Sequence, residues 1–254
     1  MDGFALDDDA LCLHVVERVA AVPGVEAIAL GGSRARGEHR PDSDWDFGVY
    51  YRGALDTGAI RAIGWDGTVF EPGDWGGGVF NGGAWLQIDG RRVDLIYRDL
   101  DDVELRIAEA ERGVFATERL SFYVCGIPTY AVVGELSQNR VLFGALPRPV
   151  YPDALSATAR DRWHTDALQH LDFTRRGCAA TGDAITTAGN LSRAVLCEAH
   201  SRLAARKEWV VNEKGLAGRA GLGAVAQSIG ALGTTPAELL GACDAVGAAI
   251  EGGS

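Results

Sequence analysis

The chain is poor in lysine and in basic charge. It contains two lysines against 22 arginines, and its formal net charge is −11. Proteins that bind nucleic acid without sequence preference need basic stripes that neutralise phosphates. The arginines here occur only in small groups, so we expect no stable binding to nucleic acid. An acidic protein instead attracts cationic partners over long range.

Long apolar runs are also missing. The sequence contains no apolar stretch of membrane-spanning length, and residues 7–9 near its start are three aspartates rather than a basic and then apolar leader. We therefore expect a cytoplasmic protein without a membrane partner.

Cysteine is present but scattered. An odd number of widely spaced cysteines predicts neither a disulfide framework nor a zinc site. We expect them to be small core residues in a reducing compartment. The cysteines are Cys12, Cys125, Cys178, Cys197 and Cys243.

The length and composition are those of a folded protein. A chain of 254 residues with 47% apolar content can bury one large core or two modest ones. Its charged fraction of 23% is ordinary, and no low-complexity tract indicates disorder.

The first half of the chain alternates between helical and strand patterns. Its apolar spacing and turn residues predict a mixed sheet with flanking helices, which is an α/β (α+β) domain over residues 1–147. The hairpin turns at Asp89-Gly90, a pair typical of type I′ turns. The predicted helices are 10–22, 54–63 and 99–112, the strands 25–30, 44–51 and the hairpin 83–97, with a glycine-rich loop at 70–80.

The second half is helical in pattern. Three prolines in residues 147–152 forbid regular structure and predict a domain boundary there. After it, glycine and Thr-Thr-Pro breakers separate about four helices, which predicts an up-and-down helical bundle over residues 153–254. The predicted helices are 153–177, 183–207, 215–232 and 236–250.

The most informative motif is a Gly-Gly-Ser turn at residues 31–33 followed by Asp44 and Asp46. On a strand, Asp44 and Asp46 point to the same face, because side chains alternate with period two. Neighbouring carboxylates repel each other, and a cation between them removes the cost. Mg²⁺ prefers oxygen ligands and often binds together with phosphates. A glycine turn at a helix start offers backbone N–H groups to such a phosphate.

Asp94 is a third carboxylate on a later strand. In the predicted hairpin strand, Val93, Leu95 and Tyr97 share one face and Asp94 lies on the other. An aspartate in the middle of an apolar strand is not explained by packing. Trp45, between the two earlier aspartates, is expected to face the core.

The order Gly-Ser, Asp-x-Asp and a later lone Asp resembles the DNA polymerase β-like nucleotidyltransferase superfamily. The motif Gly-Ser-Arg-Ala-Arg-Gly followed by Ser-Asp-x-Asp is most similar to those of the aminoglycoside and minimal nucleotidyltransferases. The motif match covers roughly residues 25–100. The resemblance implies two Mg²⁺ ions held by Asp44, Asp46 and Asp94, and a nucleoside triphosphate as substrate.

The resemblance also implies contacts to the triphosphate. Gly32 and Ser33 are expected to bind its phosphates, together with Arg34, for which a structural role is the alternative. The helical domains of aminoglycoside-type relatives carry basic residues that reach the triphosphate. Lys214 and Arg193 are the candidates for that role here.

The general base is left open between several carboxylates. Asp94 would complete the shell of the second ion or take the proton of the acceptor. Some relatives use a glutamate from the helical part, for which Glu213 and Glu135 are candidates. Trp75 in the glycine loop is either a loop anchor or a residue that stacks on a base or covers the acceptor.

Three functions fit these motifs. The first is transfer of a nucleoside monophosphate, AMP by the resemblance, to a hydroxyl of a small molecule such as an aminoglycoside. The second keeps the reaction but makes the acceptor a protein or an RNA end, as in antitoxin-like relatives. The third is a non-catalytic nucleotide-binding regulator. The resemblance also allows a homodimer, and the sequence leaves the preferred base and the acceptor open.

Overall fold

The structure is a computed structural model, and it describes residues 6–252. The strands in this range are β1 (Val25–Leu30), β2 (Trp45–Tyr51), β3 (Asp66–Val69), β4 (Gly83–Ile88), β5 (Arg91–Asp99), β6 (Thr117–Glu118), β7 (Ile127–Pro128) and β8 (Arg140–Phe143). The large sheet has the order β3-β4-β5-β2-β1-β8, and β6 pairs with β7. Because β2 and β5 are parallel while the other neighbours are antiparallel, the sheet is mixed, as predicted.

The helices in residues 6–252 lie between the strands in the sequence or follow the large sheet in the chain. They are α1 (Asp8–Val19), α2 (Gly32–Ala35), α3 (Thr57–Ala62), α4 (Leu100–Glu111), α5 (Ala131–Gln138), α6 (Asp153–Phe173), α7 (Ala184–Ala205), α8 (Leu216–Arg219), α9 (Val225–Gly230) and α10 (Pro236–Glu251). A π-helical turn (Thr174–Cys178) and a 3₁₀ turn (Ala179–Thr181) follow α6. Side chains at Asp7, Asp56, Asp183 and Thr235 cap the N-termini of α1, α3, α7 and α10.

The β4–β5 hairpin has the predicted turn. Asp89 and Gly90 have φ angles of 50° and 72°, the left-handed pair that a type I′ turn requires. This turn places Ile88 opposite Arg91. The predicted type I′ hairpin is therefore confirmed, and its register determines which side chains of the two strands are neighbours.

The chain divides into two compact units. The first unit runs up to Ala108 and resumes over Val132–Val150, and the second comprises Glu109–Ala131 and continues from Tyr151. In the first unit α1 and α3 cover one face of the large sheet, and that face supplies the core. Fully buried members of this core include Leu11, Val15, Ile28, Phe47 and Leu95.

The second unit takes in a segment, 109–131, that the predicted domain 1–147 assigns to the first half. The reason is aromatic packing: the Phe115 ring lies 5.1 Å from that of Tyr130 and 6.1 Å from that of Trp163 on α6. The indole of Trp163 also donates a 3.0 Å hydrogen bond to the Tyr130 hydroxyl. The chain passes back to the second unit within residues 145–152, which have no regular structure, as predicted. Residues 1–5 and 253–254 of the predicted domains lie outside the described range.

One predicted helix is wrong, and two strands of the large sheet were missed. The predicted helix 215–232 is two short helices, α8 and α9, because Gly221 adopts a left-handed φ of 76° between them. The edge strands β3 and β8 were not predicted. Both are four residues long, too short for a clear alternating pattern.

The cysteines and the helices agree with the remaining expectations. All five cysteines are buried and free, which confirms their predicted place in the core. Within residues 6–252, every helix is too short or too polar to cross a membrane.

Candidate active site

The central feature of the site is a row of side chains on one face of the large sheet. Asp46 on β2 lies directly opposite Asp94 on the parallel neighbour β5. Their strand neighbours Trp45, Phe47 and Leu95 point to the other face and are buried in the core. Alternation along the two strands thus brings both aspartates to the open face, where the sequence predicted them.

Repulsion between carboxylates is visible at Asp94. Burial raises the pKa of Asp94 to about 6, with the negative charges of Asp46 and Asp44 acting in the same direction. The positive charge of Arg92 acts in the opposite direction and is the smaller influence. The three predicted carboxylates therefore interact electrostatically, and a cation among them would relieve the cost.

Asp44 lies just before β2, in a loop shaped by two arginines. Nη2 of Arg92 is 2.6 Å from Oδ1 of Asp44 and donates a 3.1 Å hydrogen bond to the carbonyl of Asp42. Oδ1 of Asp44 is buried, and the guanidinium of Arg92 is the cation beside it. A carboxylate oxygen in this position favours a cation, so a metal ion at Asp44 would share the oxygen with Arg92 or displace the guanidinium.

Arg34 has a structural role, which is the alternative that the sequence left open. Its guanidinium donates hydrogen bonds to the carbonyls of Ser43, at 2.8 Å, and Asp44, at 3.2 Å, and lies 4.0 Å from the Trp45 ring centre. The side chain is only 7% exposed. Arg34 thus positions the backbone of Asp44, and its predicted contact with a phosphate stays a prediction.

The glycine turn at residues 31–33 is attached to the carboxylates. The N–H of Gly31 donates a 2.8 Å hydrogen bond to the carbonyl of Asp46. Gly32 has a φ of 60°, and a Cβ on it would lie 1.9 Å from Oδ2 of Asp46. Only glycine fits there. Ser33 follows, half-buried, in the single helical turn α2, so the turn and Asp46 form one site.

The same face of the sheet is covered further along β5. Arg98 lies four residues after Asp94 on β5 and therefore on the same face. It is buried and donates two 2.8 Å hydrogen bonds to Glu135 on α5. This bidentate pair attaches α5 to the sheet. Because Glu135 is paired with Arg98, the part of this face that stays open is the part around Asp46 and Asp94.

The remaining predicted residues belong to the second unit. Arg193 has its Nε buried without a partner among the described residues, and Lys214 is exposed. Glu213 accepts 2.7 Å hydrogen bonds from the backbone N–H groups of Val124 and Cys125, which gives it a structural role in that unit. The predicted approach of Arg193 and Lys214 to a triphosphate stays a prediction.

The donor set fits Mg²⁺ bound together with a substrate. Within residues 6–252, no group of three or more His, Cys, Asp or Glu side chains is close enough to enclose a metal ion alone. Mg²⁺ in phosphate chemistry uses one or two carboxylates and completes its shell with water and phosphate oxygens. The carboxylate oxygens of Asp46 and Asp94 on neighbouring strands, with Asp44 beside them, are the type of ligand that this requires.

One neighbour of the carboxylates was missed in the sequence. Trp85 on β4 lies directly opposite Asp94 on β5 and is exposed. The signal was available, because a two-residue turn at Asp89-Gly90 that pairs Ile88 with Arg91 also pairs Trp85 with Asp94 three positions further on. The ion pair between Arg92 and Asp44 spans two segments that are distant in the sequence, and no local pattern indicates it.

Comparison with known proteins identifies the domain that carries this site. Residues 14–115 match the family model of the nucleotidyltransferase domain, which confirms the predicted resemblance. Among solved structures, the chain is similar to a nucleotidyltransferase-like protein from Exiguobacterium sibiricum 255-15, at 11% identity and a TM-score of 0.46, over 94% of this chain and 73% of that one. No curated protein matches the chain. Residues 14–115 therefore form a nucleotidyltransferase domain of the DNA polymerase β-like superfamily, and nucleotidyl transfer is the class of activity that this domain supports.

Proposed function

We propose that the protein transfers AMP from ATP to a hydroxyl group of a small cationic molecule such as an aminoglycoside, with Mg²⁺, and releases pyrophosphate. The pairing of Asp46 with Asp94, with Asp44 close enough to affect the pKa of Asp94, carries this proposal. Two repelling carboxylates on one face of the sheet, with a third in the adjoining loop and a glycine turn beside them, are suited to binding a metal-bound triphosphate.

The carboxylates are assigned to the metal. Asp44, Asp46 and Asp94 would hold Mg²⁺, and two ions remain our expectation. When bound, Mg²⁺ neutralises phosphate charge and lowers the pKa of the acceptor hydroxyl. Arg34 holds the backbone at Asp44 in place, so it supports the ligand set without contacting the metal.

The other residues bind and orient the substrates. The backbone N–H groups of Gly32 and Ser33 and the Ser33 hydroxyl face the phosphates in this proposal, because Gly32 lies beside Asp46. The acceptor oxygen forms a bond to the α-phosphorus as the bond between that phosphorus and the pyrophosphate oxygen breaks. Asp94 accepts the proton that the acceptor loses.

The choice of acceptor is supported by charge. The net charge of −11 favours the approach of cationic molecules and disfavours a nucleic-acid acceptor. AMP as the transferred group is supported by the resemblance of residues 31–46 to the aminoglycoside branch.

The test is pyrophosphate release from each of the four nucleoside triphosphates, with and without Mg²⁺ and a panel of aminoglycosides and neutral polyols. We expect release that requires Mg²⁺, ATP and one class of aminoglycoside. Asp46→Asn should abolish the release, because it removes a metal-binding charge at the centre of the row. Asp42→Asn is the matched control, since Asp42 lies in the same loop and its exposed carboxylate pairs with Arg40.

The outcomes separate the alternatives. Release that persists in Asp46→Asn or without Mg²⁺ would contradict the proposed site. Silence across the panel, with ATP still bound in Mg²⁺, would contradict the small-molecule acceptor and favour a protein or RNA acceptor or a regulator.

A further inference from the structure

An aromatic cluster adjoins the carboxylates on the open face of the sheet. We define it as Phe70, Trp75 and Trp85. The Phe70 ring meets that of Trp85 edge-on, with centroids 4.8 Å apart, and the Trp75 ring stacks on that of Trp85 at 5.6 Å and 26°. Phe70 and Trp75 are themselves 5.6 Å apart, so each ring contacts the other two.

The cluster is built into the sheet rather than resting loosely on it. Trp75 packs over Gly83 on β4, where an added Cβ would lie 2.5 Å from its ring. Phe70 and Trp75 are half-buried, whereas Trp85 is 55% exposed. Its neighbours on β4, Ala84 and Leu86, are buried in the core. Two aromatic rings thus hold the Trp85 indole in place while much of its surface contacts water.

The exposed indole lies at the edge of the proposed active site. Trp85 is the cross-strand partner of Asp94, and such partners have Cβ atoms about 5 Å apart. A row across four strands therefore contains Trp85, Asp94, Asp46 and then Gly31 after β1. At about 4.8 Å per strand, the row is about 14 Å long, with the glycine turn at one end and the indole at the other.

We propose that Trp85, supported by Phe70 and Trp75, binds the acceptor and selects a cationic ring compound, such as an amino sugar. The inference rests on the proposed function, because it assigns the triphosphate to the glycine end of the row. The acceptor then occupies the opposite side of Asp94, where Trp85 lies.

The chemistry of this end of the row defines the acceptor. An indole face attracts ammonium groups and covers the C–H face of a ring, and the effect is larger when water is excluded. Asp94 and Asp46 add negative charge beside it. A ring that carries ammonium groups on one side and hydroxyl groups on another fits both the indole face and the negative charge. An acyclic polyamine has the positive charge but no ring.

The test is calorimetric titration of kanamycin, spermine and ATP, each in Mg²⁺, into the wild type and Trp85→Leu. We expect the Kd of kanamycin to rise by about tenfold, since a cation–π contact of this kind is lost. The Kd of spermine should rise less, because spermine has the ammonium groups but no ring for the indole to cover. The Kd of ATP should stay within about twofold, because ATP binds at the glycine end of the row in this proposal. Trp85→Phe should restore most of the affinity for kanamycin.

Phe143→Leu is the matched control, because Phe143 is an exposed aromatic residue on β8, an edge strand of the same sheet that is distant from β4. It should bind all three compounds as the wild type does. If Trp85→Leu melts at a lower temperature than the wild type, Trp85→Thr, which suits an exposed strand position, replaces it.

Three results would overturn the inference: no kanamycin binding to the wild type, an unchanged Kd for kanamycin in Trp85→Leu, or a raised Kd for ATP instead. Failure of the proposed function looks different. In that case kanamycin binding depends on Trp85, but pyrophosphate release is absent with every acceptor.

Discussion

The space that a side chain at Gly32 would occupy is filled by the carboxylate of Asp46. A Cβ at Gly32 would lie 1.9 Å from Oδ2 of Asp46 and 2.9 Å from its Cγ. The N–H of Gly31 is bonded to the carbonyl of the same aspartate. The glycine turn and Asp46 are therefore packed directly against each other, and a glycine at position 32 is required for the position of the Asp46 carboxylate.

This contact predicts the effect of Gly32→Ala. The new methyl group must displace the Asp46 carboxylate, so we expect pyrophosphate release to fall by at least about 100-fold, the size of effect that a displacement of about 1 Å produces in an active site. The variant also places alanine at a φ of 60°, which costs about 1 kcal/mol of stability. Steady-state turnover and urea denaturation measure the two effects.

Gly37→Ala separates the clash from the backbone cost. Gly37 has a φ of 69°, and an added Cβ there meets no atom within 4 Å. It should lose a similar stability but keep its turnover within about threefold, because only the backbone term of about 1 kcal/mol applies. Equal turnover in the two variants would show that the Asp46 carboxylate moves without consequence.

The second prediction concerns Arg34, whose guanidinium holds the carbonyls of Ser43 and Asp44. Arg34→Gln removes these bonds and the stacking on Trp45, so we expect kcat to fall by about 10- to 100-fold as Asp44 loses its position. Arg34→Lys should not restore kcat, because an ammonium cannot replace a planar, stacked fork of donors. Calorimetric titration of Mg²⁺ into the nucleotide-free variants should show weaker binding.

Arg36→Gln is the matched control for this pair. Arg36 lies two residues away and forms an exposed ion pair with Glu38. It should behave as the wild type does. If Arg34→Gln binds Mg²⁺ normally and only its KM for ATP rises, Arg34 contacts the phosphates directly, as the sequence predicted, and the positioning role is wrong.

The third prediction concerns His200 in the second unit. Its side chain is buried, stacks on Trp163 with ring centroids 4.3 Å apart, and has no hydrogen-bond partner at either nitrogen among the described residues. Burial lowers the pKa of His200 from 6.5 to about 3, and the positive charge of Arg219 acts in the same direction. Between pH 6.5 and 3 the unfolded chain therefore binds a proton that the folded chain does not.

Stability must consequently fall as the pH drops below 6.5. Between pH 7.5 and 5.5 we expect His200 to contribute a loss of about 1.4 kcal/mol in the free energy of unfolding. His200→Phe keeps an aromatic ring beside Trp163 without the titrating group, so its loss should be smaller by that amount. Urea denaturation at the two pH values measures it, with exposed His39→Gln as the control. An identical pH dependence in His200→Phe and the wild type would contradict the prediction.

The parts of the fold that could be predicted depend on local signals. Strand alternation around Asp46 and Asp94, and the Asp89-Gly90 turn, each lie within a few residues of sequence. They were sufficient for the hairpin, the facing of the carboxylates and the core position of Trp45. The interruption of the helix at Gly221 was missed, because glycine inside a helical pattern is often tolerated.

The parts that could not be predicted depend on contacts between distant segments. Three such contacts can be predicted only when the order of the strands in the sheet is known. They are the ion pair between Arg92 and Asp44, the hydrogen bond from Arg34 to the Asp44 carbonyl and the bidentate pair between Arg98 and Glu135. The resemblance placed Arg34 at a phosphate, with a structural role as the alternative. The structure shows that its guanidinium contacts the protein backbone, and the phosphate contact stays a prediction.

The last prediction concerns Asp94, whose pKa is raised to about 6 by burial and by the neighbouring carboxylates of Asp46 and Asp44. In the unfolded chain its pKa is near 3.8, so in the metal-free protein between pH 3.8 and 6 the folded state holds a proton that the unfolded state has lost. Stability from this group is therefore present below pH 3.8 and is lost as the pH rises through 6. The ionised carboxylate weakens the metal-free protein at neutral pH.

Asp94→Asn should consequently abolish pyrophosphate release and yet stabilise the metal-free protein at pH 7.5. We expect a gain of about 1 kcal/mol, which allows for solvent screening of a half-exposed group, and no gain near pH 4. Urea denaturation in EDTA measures it, with Asp66→Asn, an exposed aspartate on β3, as the control. In Mg²⁺ the order should reverse, because the wild type gains binding free energy that the variant lacks. A variant that is less stable than the wild type in EDTA would contradict this prediction and show that Asp94 is needed for folding. The predicted reversal is typical of a carboxylate that destabilises the metal-free protein and is stabilised by the metal it binds.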